Sequence, residues 1–389
     1  NYLLSIYPIS EVTSTEELTT ETSVEEVTYF DGIGRPVEEI QRGFGASYND
    51  IVTFHQYDAL GREPSQMLPS VGTGTGAYVD INTYRNKAAS LYDDTVPYST
   101  IEFESSMLSR PLSVMGAGEK WTDADKKVRY QYLANTFSGE LSCWHFIVSG
   151  SRDNHTLVRV GLYSANHLQV TKMVDEDNNS TISFQDSDGR NILTRKVIDG
   201  KYADTYYVYD NYGNLCYVLS PEGSEAWNRN EKVVATDKLG FQYRYDERNR
   251  CIAKKLPGAD WIYYIYDVND RLIFTQDGNM RTQGKWLMTL CDAEGRETIR
   301  GIYTGTASQL GVDELDMHTA DASSGGYLGY VLPSSLSPSS ISLRSVTYYD
   351  DYSKVNTLFS VPANVVGFCE IDGLDSTNDS RTQGLITGR

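Results

Sequence analysis

From Val24 to Leu68, and again from Phe184 to Arg296, apolar and polar residues alternate in short runs. A period of two is the spacing of a strand with one face against a core. The pattern predicts a hairpin joining Val24–Phe30 to Arg35–Gln41 and a second joining Ile51–Tyr57 to Arg62–Leu68. Further strands are expected at Val128–Leu133, Leu141–Ser149, Thr156–Tyr163, Leu168–Val174 and Ile341–Tyr349, with polar turn clusters between them. Two segments break the rhythm. Tyr84, Ala88, Leu91 and Tyr92 recur at helical spacing behind Asn82, the expected N-cap, and Glu225–Lys238 is the other helical candidate.

The runs are punctuated by one phrase: an aromatic residue, Asp, two variable residues, then Gly, Asn or Asp, and usually Arg. It reads Tyr209-Asp210-Asn211-Tyr212-Gly213-Asn214, Tyr245-Asp246-Glu247-Arg248-Asn249-Arg250 and Tyr266-Asp267-Val268-Asn269-Asp270-Arg271. Looser copies occur at Gln185-Asp186-Ser187-Asp188-Gly189-Arg190 and Cys291-Asp292-Ala293-Glu294-Gly295-Arg296. Two more stand near the N-terminus, Phe30-Asp31-Gly32-Ile33-Gly34-Arg35 and Tyr57-Asp58-Ala59-Leu60-Gly61-Arg62. Each part has a mechanical reason. Aromatic residues suit a half-buried pleated face. An Asp side chain accepts the amide two residues on and closes a turn. Gly, Asn and Asp tolerate the positive φ that follows a type I turn in a hairpin. Each phrase is therefore a hairpin tip with a structural Asp, and the recurrence marks a repeat architecture.

The phrase resembles the YD repeat of the Rhs family, which includes teneurins and the shell-forming component of insecticidal toxin complexes. Tyr29–Pro36, Ser106–Pro111 and Gly118-Glu119-Lys120-Trp121 resemble the opening of Rhs-type surface proteins of Bacteroidetes. The resemblance implies a mainly β chain whose antiparallel hairpins form a curved or spiralling sheet, part of a shell, with two short helical inserts. It implies export to the cell surface or medium and a shell enclosing a C-terminal polymorphic toxin used in competition between bacteria. The partners would be the rest of the same polypeptide and its toxin cargo. On this reading the chain divides into an extended lead-in (1–23), first hairpins (24–69), a β-rich segment with a short helix (70–183), the repeat array (184–303), a Gly/Ser-rich excursion outside the sheet (304–340) and further strands (341–389). Consecutive turns of the array are expected along a common rim. The end at Arg389 reads as the end of an excised segment of a longer protein.

Composition refines the picture. The 29 Tyr against 11 Phe favour a thin sheet wet on both faces, where a ring with a polar tip is at home. The net charge of −19 argues against nucleic acid and anionic membrane as partners; it leaves cationic partners or divalent ions open, and reads first as solubility. Five Cys, at 143, 216, 251, 291 and 369, show no C-x-x-C spacing and read as small buried hydrophobes. No apolar run is long enough to span a membrane.

No set of residues in the chain has the spacing of a catalytic or metal site. The five His (55, 145, 155, 167, 318) have no metal-ligand spacing, and no nucleophile elbow occurs. Gly72–Gly76 reads as a flexible loop rather than a phosphate cradle, since no Gly-Lys-Ser/Thr follows. The acidic run Asp175–Asn179 could hold calcium loosely, but it lacks the Gly and terminal Glu of an EF-hand loop. Paired carboxylates are unavoidable in so acidic a chain. No catalytic, cofactor-binding or metal residue is assigned, and no cofactor is expected. The first reading is a structural shell segment. The alternative is an adhesin whose Trp121, Trp144, Trp227, Trp261, Trp286 and Tyr rings stack on surface glycans. A glycan-active hydrolase is the third and weakest reading.

Overall fold

A computed structural model describes residues 1–9, 14, 18–19, 22–45, 49–72, 74–306, 318–319, 326–349 and 386–388. The chain is mainly antiparallel β and divides into two compact units, 1–143 with 163–203, and 144–162 with 204–389.

The first unit opens with β1 (Tyr2–Pro8), β2 (Ser23–Phe30), β3 (Pro36–Arg42), β4 (Ile51–Gln56), β5 (Ser65–Met67) and β6 (Ser70–Val71). β1 pairs with β2, β2 with β3, β3 with β4, and β4 with both β5 and β6. Helix α1 (Ile81–Tyr92) lies over this sheet through Tyr84 and Ala88, which join Val27, Ile40, Val52 and Phe54 in the core. Its N-cap is Asp80, not the expected Asn82: the Asp80 carboxylate accepts from the backbone N–H groups of Asn82 and Thr83 at 3.1 Å each. A carboxylate placed one residue before the helix satisfies two orphan donors, so the cap moves upstream. Gly72 and Gly76 are also tied down rather than free. The Gly72 N–H donates to the Asp50 carbonyl and the Gly76 N–H to the buried Asp50 carboxylate, both at 2.8 Å.

The unit continues through β7 (Tyr98–Phe103), β8 (Pro111–Met115), the one-turn helix α2 (Glu119–Asp123) and β9 (Lys127–Ala134). Next come β10 (Trp144–Gly150) and β11 (His155–Leu162), which pair only with each other among the described residues, and then β12 (Gln169–Val174), β13 (Ser180–Gln185) and β14 (Asn191–Ile198). β9 pairs directly with β12. The β10–β11 hairpin thus leaves this sheet, although its alternation reads like that of its neighbours.

In the second unit the strands run in sequence order. They are β15 (Lys201–Tyr209), β16 (Leu215–Leu219), β17 (Gly240–Tyr245), β18 (Cys251–Lys255), β19 (Trp261–Tyr266), β20 (Leu272–Gln276), β21 (Lys285–Cys291) and β22 (Glu297–Thr304). Each pairs antiparallel with the next. The helix expected over Glu225–Lys238 begins four residues earlier, as α3 (Pro221–Asn228), because Ser220 caps it and Pro221 suits its first position; it ends at Asn228, and a π-turn follows at Val234–Lys238. A further one-turn helix, α4 (Gly278–Thr282), precedes β21.

One end of this sheet is covered by the β10–β11 hairpin, where Phe146 meets Tyr206 and Trp227 edge-on at 5.0 and 5.4 Å. The other end carries a core of Phe274, Trp286, Met288, Leu290 and Ile299 with Tyr330 and Leu336. Those last two residues belong to the segment expected as an excursion outside the sheet. Over 326–340 the segment adds no strand to this sheet but packs down onto it: Tyr330 is buried and its hydroxyl donates to the Thr347 carbonyl at 2.7 Å. Two large anchors outweigh a Gly/Ser-rich average, because each buries about 150–250 Å² when aromatic. The rest of that expected excursion, apart from 304–306 and 318–319, lies outside the described residues, as does Cys369.

Candidate functional site: a ladder of linked turns

The repeated phrase has one geometry throughout. In the first copy the Asp31 N–H donates to the Arg35 carbonyl at 2.9 Å and the Gly34 N–H returns to the Asp31 carbonyl at 3.3 Å. The same pair of bonds closes the turns at Asp58, Asp186, Asp210, Asp246, Asp267 and Asp292. The fourth turn residue has positive φ each time: Gly34 87°, Gly61 78°, Gly189 77°, Gly213 85°, Asn249 63°, Asp270 64° and Gly295 84°. A β-branched residue resists that region. Gly61→Val and Gly213→Val should each lower stability by about 1–2 kcal/mol in denaturant melts; unchanged midpoints would remove the turn from the account of the fold.

The Asp side chain is a three-way acceptor. Asp246 Oδ1 takes the N–H groups of Arg248 and Arg250 at 2.9 Å each, and Oδ2 takes Arg250 Nε at 2.7 Å. Arg35, Arg62, Arg190, Arg271 and Arg296 likewise donate Nε or Nη to their own Asp. In the Asp210 turn, Asn214 Nδ2 takes the place of the arginine at 2.9 Å. Backbone N–H donation, first from Arg35, holds the Asp31 carboxyl below its ordinary value, and the Arg62 N–H does the same for Asp58.

Two further turns take this geometry, the first read from the sequence as a turn cluster and neither as a copy of the phrase. Asp175 accepts from the N–H groups of Asp177 and Asn179, with Asn179 Nδ2 on its second oxygen and Asn178 at φ 66°. This is the run considered for calcium, and both carboxylate oxygens of Asp175 are engaged in the turn. At Glu104–Arg110 a longer loop does the same work with a glutamate, bidentate to Arg110 at 2.8 Å and 2.8 Å. The signal was present in Asn178 and in the Phe103-Glu104 pair, hidden by a substituted aromatic in one and a lengthened loop in the other.

Successive turns are linked by the residues that flank them. Arg35 lies over the Tyr57 ring at 4.2 Å, and the Tyr57 hydroxyl donates to the carbonyl of Pro36, the residue after that arginine, at 2.9 Å. Arg110 and Tyr132 repeat the arrangement at 4.2 Å, with a hydroxyl bond to Pro111 at 2.9 Å. Arg250 and Tyr266 repeat it at 5.1 Å with Cys251, and Arg296 and Tyr349 at 4.5 Å with Glu297. Tyr245 makes the hydroxyl bond alone, to Leu215 at 2.8 Å, because Asn214 replaces the arginine. Arg250 and Arg271 also donate to the carbonyls of Asp267 and Asp292, the Asp residues of the next turns. Within each unit these contacts set consecutive tips side by side. The Arg250 guanidinium combines an ion pair with Asp246, a cation–π contact with Tyr266 and a backbone bond to Asp267, and that of Arg62 does the same with Asp58, Phe103 and Glu104, a combination that the planar five-donor head of arginine permits and lysine does not. Burial raises the pKa of Tyr57, Tyr132, Tyr245, Tyr266 and Tyr349, so all five remain hydroxyl donors at neutral pH.

The other candidates fall into structural surroundings. His155 is buried against Tyr217, and burial lowers its pKa to about 4. His55 sits beside Glu63 at 3.2 Å and Glu39 at 3.8 Å. Among the described residues no three His, Cys, Asp or Glu are grouped to hold a metal. Cys143 and Cys216 are buried, and burial pushes the Cys216 thiol up to about 12. Trp227 and Trp286 are buried, and the Trp144 and Trp261 rings carry Arg159 and Arg244 at 4.3 and 5.0 Å. Trp121 is exposed. What the sequence did not reveal is Arg152 at the β10–β11 tip. It stacks 3.4 Å from the Tyr212 ring and donates to the Asp246 and Glu247 carbonyls at 3.2 and 2.8 Å, fastening the hairpin to the ladder.

A family model described as a domain of unknown function (DUF6443) matches residues 6–134. No curated protein matches the chain. Among solved structures, the chain is similar to TcdB2-TccC3 without its hypervariable C-terminal region, at 16% identity and a TM-score of 0.49, over 72% of this chain and 12% of that one. The Photorhabdus luminescens Tc holotoxin pore gives the same identity, TM-score and coverage. A TcdB2-TccC3-Cdc42 structure gives 16% identity and a TM-score of 0.48, over 72% of this chain and 13% of that one. The chain thus spans about an eighth of the length of these solved chains. In class it is an antiparallel β-repeat protein whose turns are cross-linked along their tips.

Proposed function

We propose that this chain is a structural segment of an exported Rhs/YD-repeat protein, contributing sheet to a shell around a toxin cargo and catalysing nothing itself. The observation that carries the reading is the ladder. The repeated Asp, Arg and Tyr are engaged in closing turns or in tying one turn to the next, which is what an extended strip needs to hold its course. Toxin cargo and export come from the family resemblance alone. No helix among the described residues is long and apolar enough to cross a membrane.

Small-angle scattering tests the strip. A shell segment should give a radius of gyration above the roughly 21 Å of a compact domain of this length. A value at or below that figure would sink the reading. A glycan array with the purified chain is expected to be blank; selective binding abolished by Trp121→Ala would put the adhesin alternative in its place.

A further inference from the structure

The tip of the β10–β11 hairpin is held down through a histidine that has to stay neutral. His155 opens β11 directly behind the tip and is buried, its ring edge-on to Tyr217 at 5.3 Å. The Tyr217 hydroxyl donates to the His155 carbonyl at 2.9 Å. Nη1 of Arg244, on β17, lies 2.8 Å from His155 Nδ1 and 3.0 Å from Nε2. Among the described residues Arg244 has no carboxylate in ion-pair contact; its other neighbours are the Tyr217 hydroxyl, the Tyr243 carbonyl and the rings of Tyr217 and Trp261. A neutral imidazole offers the guanidinium a lone pair, whereas an imidazolium presents only N–H donors and a second positive charge. The other groups around the ring do not offset that charge. The Asp153 and Asp210 carboxylates and the Tyr243 carbonyl favour a proton on His155, but burial and Arg244 outweigh them and lower its pKa to about 4. Asp153 is engaged by the Ser151 hydroxyl at 2.6 Å, and Asp210 by its own turn. Burial keeps Tyr217 and Cys216 neutral, and Lys255, on the same Trp261 ring as Arg244, is paired with Asp237 at 3.3 Å.

We propose that the hairpin tip, residues 149–156, is an acid-released latch: a proton on His155 sets the ring against the Arg244 guanidinium, and the tip lifts from the sheet. The remaining holds on the tip lie at the turns. Arg152 stacks on Tyr212 and donates to the Asp246 and Glu247 carbonyls, and its own carbonyl accepts from the Tyr245 N–H at 3.3 Å. Water can replace these bonds once the tip moves. The base of the hairpin is fixed separately, by Phe146 against Tyr206 and Trp227 and by Arg159 on Asn228 at 2.7 Å, so the tip can lift while the base stays docked. Lifting widens a groove of about 640 Å³ that Arg152 and Asp153 of the tip line together with Tyr212, Tyr245 and Ile252. In the lifted tip His155 is hydrated and takes its proton near the ordinary value of 6.5, whereas the closed form takes one only near pH 4. The ratio of open to closed tip therefore rises as pH falls through that window, by up to about 300-fold, and levels off below it. The inference is independent of the shell reading.

Residue-resolved hydrogen exchange on the 389-residue chain tests it, at about pH 7.5 and about pH 5.3, both above the isoelectric point near 4.7. After correction for intrinsic rates, protection of the Tyr245 N–H, which is bonded to the tip, should fall about tenfold at the lower pH, while the amides of β21 and β22 keep theirs. His155→Gln leaves Arg244 a neutral acceptor and carries no charge at any pH, so its Tyr245 N–H should lose no protection. The His155 ring resonances of the unsubstituted chain are the second measurement, and they should titrate well below 6.5. Equal protection of the wild-type Tyr245 N–H at both pH values, the same loss in His155→Gln, or a His155 ring titrating at 6.5 or above would overturn the latch.

Discussion

Asp267→Ala is expected to be the most damaging of the turn substitutions, lowering stability by about 3 kcal/mol. The Asp267 side chain is fully buried and its Arg271 partner only 17% exposed, so the variant strands a desolvated guanidinium. The same change removes the acceptor of two turn N–H groups, those of Asn269 and Arg271. Asp210→Ala, whose second oxygen takes a neutral Asn214, should cost about 1 kcal/mol. The comparison is internal to the second unit, where Trp144, Trp227, Trp261 and Trp286 supply the fluorescence. Denaturant midpoints that fall equally in the two variants would show that the ion pair adds nothing to the turn.

The second large effect is one of pH and lies in the first unit. Glu38 is fully buried in β3, and both its oxygens lie 3.1 Å from the Val79 N–H. Burial raises the Glu38 pKa from 4.5 to about 7, the Val79 N–H opposing in part. A raised folded pKa means that the native state holds a proton the unfolded chain has released. Stability is therefore full below about pH 4.5 and is lost as pH climbs to about 7, by at most roughly 3 kcal/mol. Glu38→Gln should flatten that decline and make the unit more stable than wild type at pH 8. Asp31 and Asp58 act with the opposite sign: their lowered pKa values withdraw stability as pH falls through the ordinary carboxylate range. Melts of the first unit should then peak near pH 5. A wild-type profile flat from pH 5 to 8, or one that Glu38→Gln leaves unchanged, would contradict the buried carboxylate.

How much of this was legible in the sequence follows from the range of each interaction. The turns were readable because Asp, the positive-φ residue and the closing Arg lie within five positions of one another. Local stereochemistry alone assigns them, as Asp246, Asn249 and Arg250 show. Alternation likewise sufficed for antiparallel strands, and helical spacing for the helix at Tyr84 and Ala88. The links between turns were not legible. Tyr57 reaches back 21 residues to Pro36, Tyr266 reaches 15 to Cys251 and Tyr349 reaches 52 to Glu297. No fixed spacing betrays a contact whose loop length varies. The departure of the β10–β11 hairpin was hidden for a related reason. Its alternation satisfies any sheet, and only the pairing of β9 with β12 and the docking of Phe146 and Arg152 decide which one it joins. Tyr330 and Leu336 were masked by the small residues around them. Glu38 and Glu39 point to opposite faces of β3, and the sequence does not say which face is covered, yet Glu38 is fully buried and Glu39 is not. Which side of β3 the 76–80 segment and α1 cover is a property of packing, because burial depends on what arrives from elsewhere in the chain.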